Sequence, residues 1–234
     1  MRWYYGMMVA ACAATTFGCS EEDVDSSAIR TDGIYAYFEL VGDGGDTEVT
    51  ADFRVGGDDG TVIDLAGEDE LVVTSGDESR KMSGRNGDYS VTMSGSEDGQ
   101  EFTIAFERGP DDDGAPDSTA TLPDGFSIGG ISSGDEISRT ESATVTWDPS
   151  GTGDDMYWSL DGDCLWEEHG EMGDTGSLDL TASIYDVQMD EEETTCPATL
   201  TIERRRTGHL DSHYGEGGGV MAIQRRKISF TSAP

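Results

Sequence analysis

The sequence predicts an all-β protein made of two antiparallel β-sandwiches in tandem, and three observations lead to that prediction. Aliphatic and aromatic residues come in short runs that alternate with polar ones, the period of a half-buried strand. Gly-Asp clusters separate the runs at hairpin-like intervals, and few stretches carry apolar residues at helical spacing over three turns. One segment, Gly109-Pro110-Asp111-Asp112-Asp113-Gly114-Ala115-Pro116-Asp117, divides the runs into two sets. Its two prolines cannot donate ladder bonds and its four aspartates repel one another, so an extended, exposed linker over 110–117 is expected.

In chain order, Ile34 to Val41 alternates with Ile34, Ala36, Phe38 and Leu40 on one face, and Thr47 to Val55 repeats the pattern with Val49, Ala51, Phe53 and Val55. The intervening Gly42-Asp43-Gly44-Gly45-Asp46 makes the pair a hairpin. Further runs at Thr61 to Leu65, Leu71 to Ser75, Tyr89 to Ser94 and Glu101 to Glu107 complete a first domain over 31–109. A second, over 118–234, contains Ser118 to Leu122, Phe126 to Ile128, Ser142 to Trp147, Met156 to Leu160, Cys164 to Glu168, Ser177 to Tyr185, Cys196 to Arg205 and Val220 to Thr231. Trp147, Tyr157, Trp158 and Leu160 are expected in its core. Ala143-Thr144-Val145-Thr146-Trp147-Asp148-Pro149 resembles the second strand of fibronectin type III and related immunoglobulin-like domains, with its inward tryptophan. That resemblance, over about 118–232, implies an immunoglobulin-like sandwich and no particular activity.

The N-terminus has a separate logic. Arg2 is a positive n-region, Trp3 to Ala14 an apolar stretch too short to span a bilayer, and Glu21, Glu22, Asp23 and Asp25 follow at once. Thr16-Phe17-Gly18-Cys19-Ser20 resembles the lipobox that ends the leader of bacterial lipoproteins, with Gly18 and Cys19 matching and Thr16 in the usual aliphatic place. The resemblance implies a signal peptide over 1–18, lipidation at Cys19, an acidic tether over 19–30 and, from Ser20, an outer-membrane address. Val9-Ala10-Ala11-Cys12 is a rival lipobox with a leader core of only about seven residues. Ala11-Cys12-Ala13 also fits ordinary cleavage, which would release a secreted protein.

Acids outnumber bases 49 to 14, for a net charge of −35. Such a surface repels nucleic acid and anionic headgroups and excludes a nucleic-acid role; it is also what saline surroundings favour. With Cys12 in the leader and Cys19 lipidated, Cys164 and Cys196 remain, an even pair in an oxidising compartment and an expected disulfide.

Candidate sites are weighed against simpler readings. Gly130-Ile131-Ser132-Ser133-Gly134 has the form of a nucleophile elbow, but that motif needs an α/β context, and 32 glycines make chance matches common. His209 and His213 stand four apart in a glycine-bounded stretch, Thr207 to Val220, which resembles a glycine-rich turn of certain bacterial repeat proteins and is read as a loop between the last two strands. Asp111, Asp113 and Asp117 are candidates for a weak calcium site, although their spacing falls short of a twelve-residue calcium loop. Arg204, Arg205, Arg206, Arg225, Arg226 and Lys227 concentrate six bases on the last two strands. They form either a patch for an anionic partner such as lipopolysaccharide or an acidic protein, or an internally neutralised stripe. The expected function is a lipid-anchored, non-catalytic binding, adhesion or structural module of the cell envelope with a protein or glycan ligand. The alternative is a secreted or surface hydrolase using a carboxylate pair that 49 acids leave unassignable.

Overall fold

The computed structural model describes residues 24–110, 112–188 and 194–234; the leader, Cys12, Cys19 and Asp111 lie outside the described residues. The strands are β1 (Val24–Asp25), β2 (Ile34–Gly42), β3 (Thr47–Val55), β4 (Thr61–Asp64), β5 (Glu70–Ser75), β6 (Glu78–Lys81), β7 (Ser83–Arg85), β8 (Asp88–Met93) and β9 (Glu101–Glu107). They continue with β10 (Ala115–Thr121), β11 (Ser127–Gly129), β12 (Glu136–Ser138), β13 (Ala143–Asp148), β14 (Asp155–Gly162), β15 (Leu165–Met172), β16 (Ser177–Leu180), β17 (Cys196–Thr207) and β18 (Gly218–Ala233).

Alternation decides which side of each strand is dry. Ile34, Ala36, Phe38 and Leu40 of β2 are all fully buried, and so are their cross-strand neighbours Val49 and Phe53 of β3. Phe38, Phe53, Phe106 and Tyr214 meet with ring centroids 5.4 to 6.5 Å apart at the centre of this first core. A second core gathers Trp147, Met156, Leu160, Leu180, Leu200, Ile202 and Phe230.

The two cores share one sheet. An 11-stranded sheet runs β1-β4-β3-β2-β18-β17-β14-β15, with β7 and β8 joined to it beside β3 and β12 beside β18. The four-stranded sheet β10-β9-β5-β6 contributes Leu71, Phe102, Ile104 and Ala120 to the first core, and the three-stranded sheet β11-β13-β16 contributes Val145, Trp147 and Leu180 to the second. The link is β18: its first half pairs with β2 (Gly218↔Ala36 to Gln224↔Gly42), while Met221 to Ser232 pairs with β17. Val220 and Ala222 therefore belong to the first core and Phe230 to the second.

Four expectations are corrected. The 110–117 segment does not link two domains: Pro110, Asp112, Asp113, Pro116 and Asp117 are exposed as expected, but Ala115–Thr121 is a strand paired with β9, and Ala115, Ser118, Ala120 and Leu122 are buried in the first sandwich. Pro116 is accommodated where the register shifts between Ala115 and Ser118, a bulge that needs no donor there. The crossing between sandwiches falls instead at Leu122 to Phe126. Residues 118–234 do not make a self-contained second domain, since β10, Tyr214 and the start of β18 complete the first core. The sheet is mixed, because β1–β4, β2–β18 and β12–β18 pair in parallel. Finally, Tyr157 lies outside the core. Met156 and Leu160 point inward with Trp158 packed beside them, so period two turns Tyr157 to the opposite face.

Candidate binding surfaces

The crossing segment is held by arginines that alternation sends to the inner face of β17 and β18. Arg206 Nη1 donates to the Leu122 carbonyl (3.1 Å), Arg204 Nη1 to the Asp124 carbonyl (2.7 Å) and Arg226 Nε to the Phe126 carbonyl (2.9 Å). Three guanidiniums thus grip every second carbonyl of Leu122 to Phe126, and Arg204 and Arg226 also pack on the Phe126 ring at 5.1 and 5.4 Å.

Arg204 has no exposed side-chain surface. Its Nη2 donates to the Pro149 carbonyl (2.7 Å) and lies 3.3 Å from both Asp174 oxygens. Asp174 also accepts from the Trp147 indole (2.7 Å) and from the amide and hydroxyl of Thr152 (2.8 Å each). Burial works against its ionisation, yet these donors and Arg204 together hold its carboxyl below the ordinary aspartate value. Arg206 forms two 2.8 Å bonds with Asp154.

The outer face uses its charges differently. Glu203, nearly buried, accepts from Arg205 (2.5 and 2.8 Å) and from Arg225 (2.6 Å). Arg205 lies 4.0 Å over the Tyr157 ring, which stacks on His169. The expected basic stripe is therefore split between two faces of the sheet. Arg204, fully buried, cannot meet a partner, and Arg205, Arg206 and Arg225 are each paired with a carboxylate. Lys227 remains exposed.

The other sequence candidates fall as follows. Cys164 and Cys196 are bonded, with Cα atoms 5.9 Å apart and both residues buried; Arg139 Nη1 donates to Cys164 Sγ at 3.2 Å. Ser132 sits in the turn after β11, its amide donating to Asp135 Oδ2 (2.7 Å), and the next element is the strand β12 and not a helix, so the nucleophile elbow is not formed. His209 pairs through its backbone with Thr119, whereas His213 bonds Asp211 through both its amide (2.9 Å) and Nδ1 (2.7 Å). That carboxylate raises the His213 pKa, and Asp113 and Asp117 add to the effect. Asp211, buried, is kept low despite its desolvation by the amides of His213 and Asp117 and by the His213 ring. The side chains of Asp113 and Asp117 are exposed, and among the described residues no three His, Cys, Asp or Glu converge in a way that could hold a metal ion.

Glu203 neutralises Arg205 and Arg225, as the internal reading of the stripe expects, whereas Asp174 and the buried pair Arg108–Asp69 (3.1 Å) are structural charges that the sequence did not single out. Each stands in one of many similar Gly-Asp or Glu-Arg neighbourhoods, and only tertiary pairing distinguishes them.

No family model matches the chain, and no curated protein matches it in sequence. Solved structures it is similar to include a two-domain fibronectin type III segment from chicken tenascin, at 15% identity over 84% of this chain and 97% of that one, with a TM-score of 0.25. Another is the complex of Dpr11 IG1 with DIP-gamma IG+IG2, at 11% identity over 85% and 96% of the two chains, with a TM-score of 0.24. A cytokine receptor complex matches at 13% identity over 82% and 94%, with a TM-score of 0.27. Scores this low carry no functional weight, and the all-β sandwich description rests on the strand pairing itself.

Proposed function

We infer that this protein is a lipid-anchored envelope module that binds a protein or glycan through its shared sheet and does no chemistry on it. The observation that carries the reading is β18, which passes through both sandwiches and makes their outer faces one platform. On that platform Tyr37, Met221, Arg205 and Tyr157 stand beside two shallow hollows of about 450 and 480 Å³. Tyrosine, methionine and arginine are the residue types that binding interfaces favour. Further support comes from the buried acids, which are committed to structure: Asp174 to Arg204, Asp211 to His213, Asp69 to Arg108 and Glu203 to two arginines.

Anchoring at Cys19 gives the platform a fixed place, since acyl chains would supply its strong membrane affinity. Two measurements test the reading. Detergent partitioning should find wild type with the membrane and Cys19→Ala in the aqueous phase; retention of Cys19→Ala together with release of Cys12→Ala would move the anchor. Capture from solubilised envelope should recover a partner that Tyr37→Ser with Tyr157→Ser loses. Turnover of a glycan, ester or peptide substrate by the purified chain would defeat the non-catalytic reading.

A further inference from the structure

Strand β15 closes one end of the 11-stranded sheet and, at eight residues, is the longest strand at the end of a sheet. Its inner neighbour is β14, in register from Met156↔Met172 to Leu160↔Glu168. Its outer edge is engaged only at the start. There the Gln188 amide donates to the Cys164 carbonyl (3.1 Å), the Trp166 amide donates to the Asp186 carbonyl (2.8 Å), and Leu165 pairs with Val187. These are the bonds of an added antiparallel strand. The chain reaches Asp186 from a 3-10 turn, Ala182–Ile184, and not along β15. From Glu167 to Met172, therefore, no strand or bridge lies on the outer side among the described residues.

Beside this open edge stands Trp166, the one large hydrophobic residue that is exposed among the described residues, at 58%. Trp166 and Glu167 face the single residue Asp161 across the ladder, a bulge that takes the indole out of the core where Leu165 lies. A backbone bonded on both sides holds the ring as a fixed anchor, and tryptophan is a residue type on which binding energy concentrates. The charge around it has one sign. Asp161, Glu167, Glu168, Glu171 and Asp186 form no ion pair among the described residues. On the outer face Arg205 is two strands away and bound to Glu203, and Lys227 is three strands away, across Thr201 and Ser159 from His169. Carboxylates along an edge strand keep copies of the same chain apart. What such an edge suits is an extended segment that brings cations, bonding β15 through its main chain and setting one cation over the indole.

We propose that the open edge of β15 takes up an extended, cationic segment of a partner protein as an additional strand, with Trp166 as its aromatic anchor. The site goes beyond the face-binding reading above and stands independently of it.

Calorimetric titration of the full chain at low salt tests this with a blocked hexapeptide of alternating lysine and valine, and with its glutamate–valine counterpart. The lysine peptide should bind and the glutamate peptide should not. Two N-methylated forms, one methylated on the lysines and one on the valines, remove the ladder donors from one edge of the peptide or the other. The form that loses the donors facing β15 should bind about tenfold more weakly or worse. Trp166→Ser, and separately Glu167→Gln with Glu171→Gln, should each weaken the lysine peptide about tenfold. Glu101→Gln with Glu107→Gln, on β9 of the other sheet, should leave it unchanged. All five residues are exposed, so unchanged thermal melts are expected and verify folding. Absence of binding up to about 10 mM, a level too weak for a built site, would overturn the proposal. Equal affinity for the parent and both N-methylated forms would do so too, since charge attraction alone would then explain binding. So would wild-type affinity in Trp166→Ser, or equal weakening by the β9 pair. A dimer of the chain in sedimentation that Trp166→Ser dissolves would give the edge to a second copy and remove the cationic partner.

Discussion

Arg204 and Asp174 form a buried ion pair at 3.3 Å that ties strand β17 of the large sheet to the loop entering the three-stranded sheet. Around it are the Asp124 and Pro149 carbonyls, the Trp147 indole and Thr152. Removing one partner strands the others in a dry site. Arg204→Ala should therefore cost about 3–5 kcal/mol, whereas Arg204→Met with Asp174→Leu should recover most of it. Urea unfolding followed by tryptophan fluorescence measures both. A loss of less than about 1 kcal/mol for the single variant would mean that water reaches the site.

The same pair makes a prediction about pH. Asp174 and Asp211 have folded-state pKa values below the ordinary value of about 3.9, so the unfolded chain takes up protons first as pH falls. The stability they contribute is complete above that unfolded value and is lost as pH drops through the folded ones. His213 has the opposite sign: its raised pKa gives a contribution complete below about 6.5 and lost as pH rises through the folded value. Its side chain is half exposed, so the alkaline effect should be the smaller one. Melting temperature against pH for wild type and Asp174→Asn checks this. The gap between the curves should close toward acid, and a constant gap from pH 7 to pH 3 would contradict the assignment.

Gly218 opens β18 at φ +119°, where an added Cβ would run into the Ala36 carbonyl of β2. A side chain there meets both a disfavoured backbone region and β2 itself. Gly218→Ala should lose more than the roughly 1–3 kcal/mol of backbone strain alone. Gly217→Ala has φ +91° but only the Tyr35 ring edge nearby, at 3.9 Å, and should show the strain component only. Equal melting temperatures for the two variants would show that the β18–β2 seam tolerates separation.

How far the fold could be read from sequence depended on the range of the pairing involved. The β2–β3 hairpin was legible because Ile34 to Leu40 and Val49 to Phe53 alternate within one local unit. The segment after Gly109 misled because exposed prolines and aspartates, which do face solvent, suit a linker as well as the start of a strand. The strand signal was the quieter alternation of Ser118, Ala120 and Leu122, which only β9 makes meaningful. Arg204-Arg205-Arg206 looked like one stripe although adjacent strand residues face opposite ways. The fate of each arginine depends on partners such as Asp154, Asp174 and Leu122, far away in the chain. The parallel seam of β18 with β2 joins residues more than 180 apart, and neither strand's pattern names the other. The disulfide was legible by elimination, because two cysteines remained.

That disulfide carries the last prediction. Cys164 and Cys196 are 32 apart in sequence, and the bridge fixes the start of β17 to the turn between β14 and β15. Closing a loop of that length contributes roughly 3–4 kcal/mol through the entropy removed from the unfolded chain. The enclosed segment includes β15 and β16, so reduction should loosen the second core while the first, whose residues include no cysteine, responds less. Because β18 enters both cores and is paired with β17 through the second, the transitions should stay partly coupled. Trp147, Trp158 and Trp166 all lie on the second-core side and report the event by fluorescence. Urea unfolding with and without reductant gives the shift, and Cys164→Ala with Cys196→Ala should reproduce it without reductant. A midpoint unmoved by either treatment would show that Arg139 and the strand ladders hold this corner without the bridge.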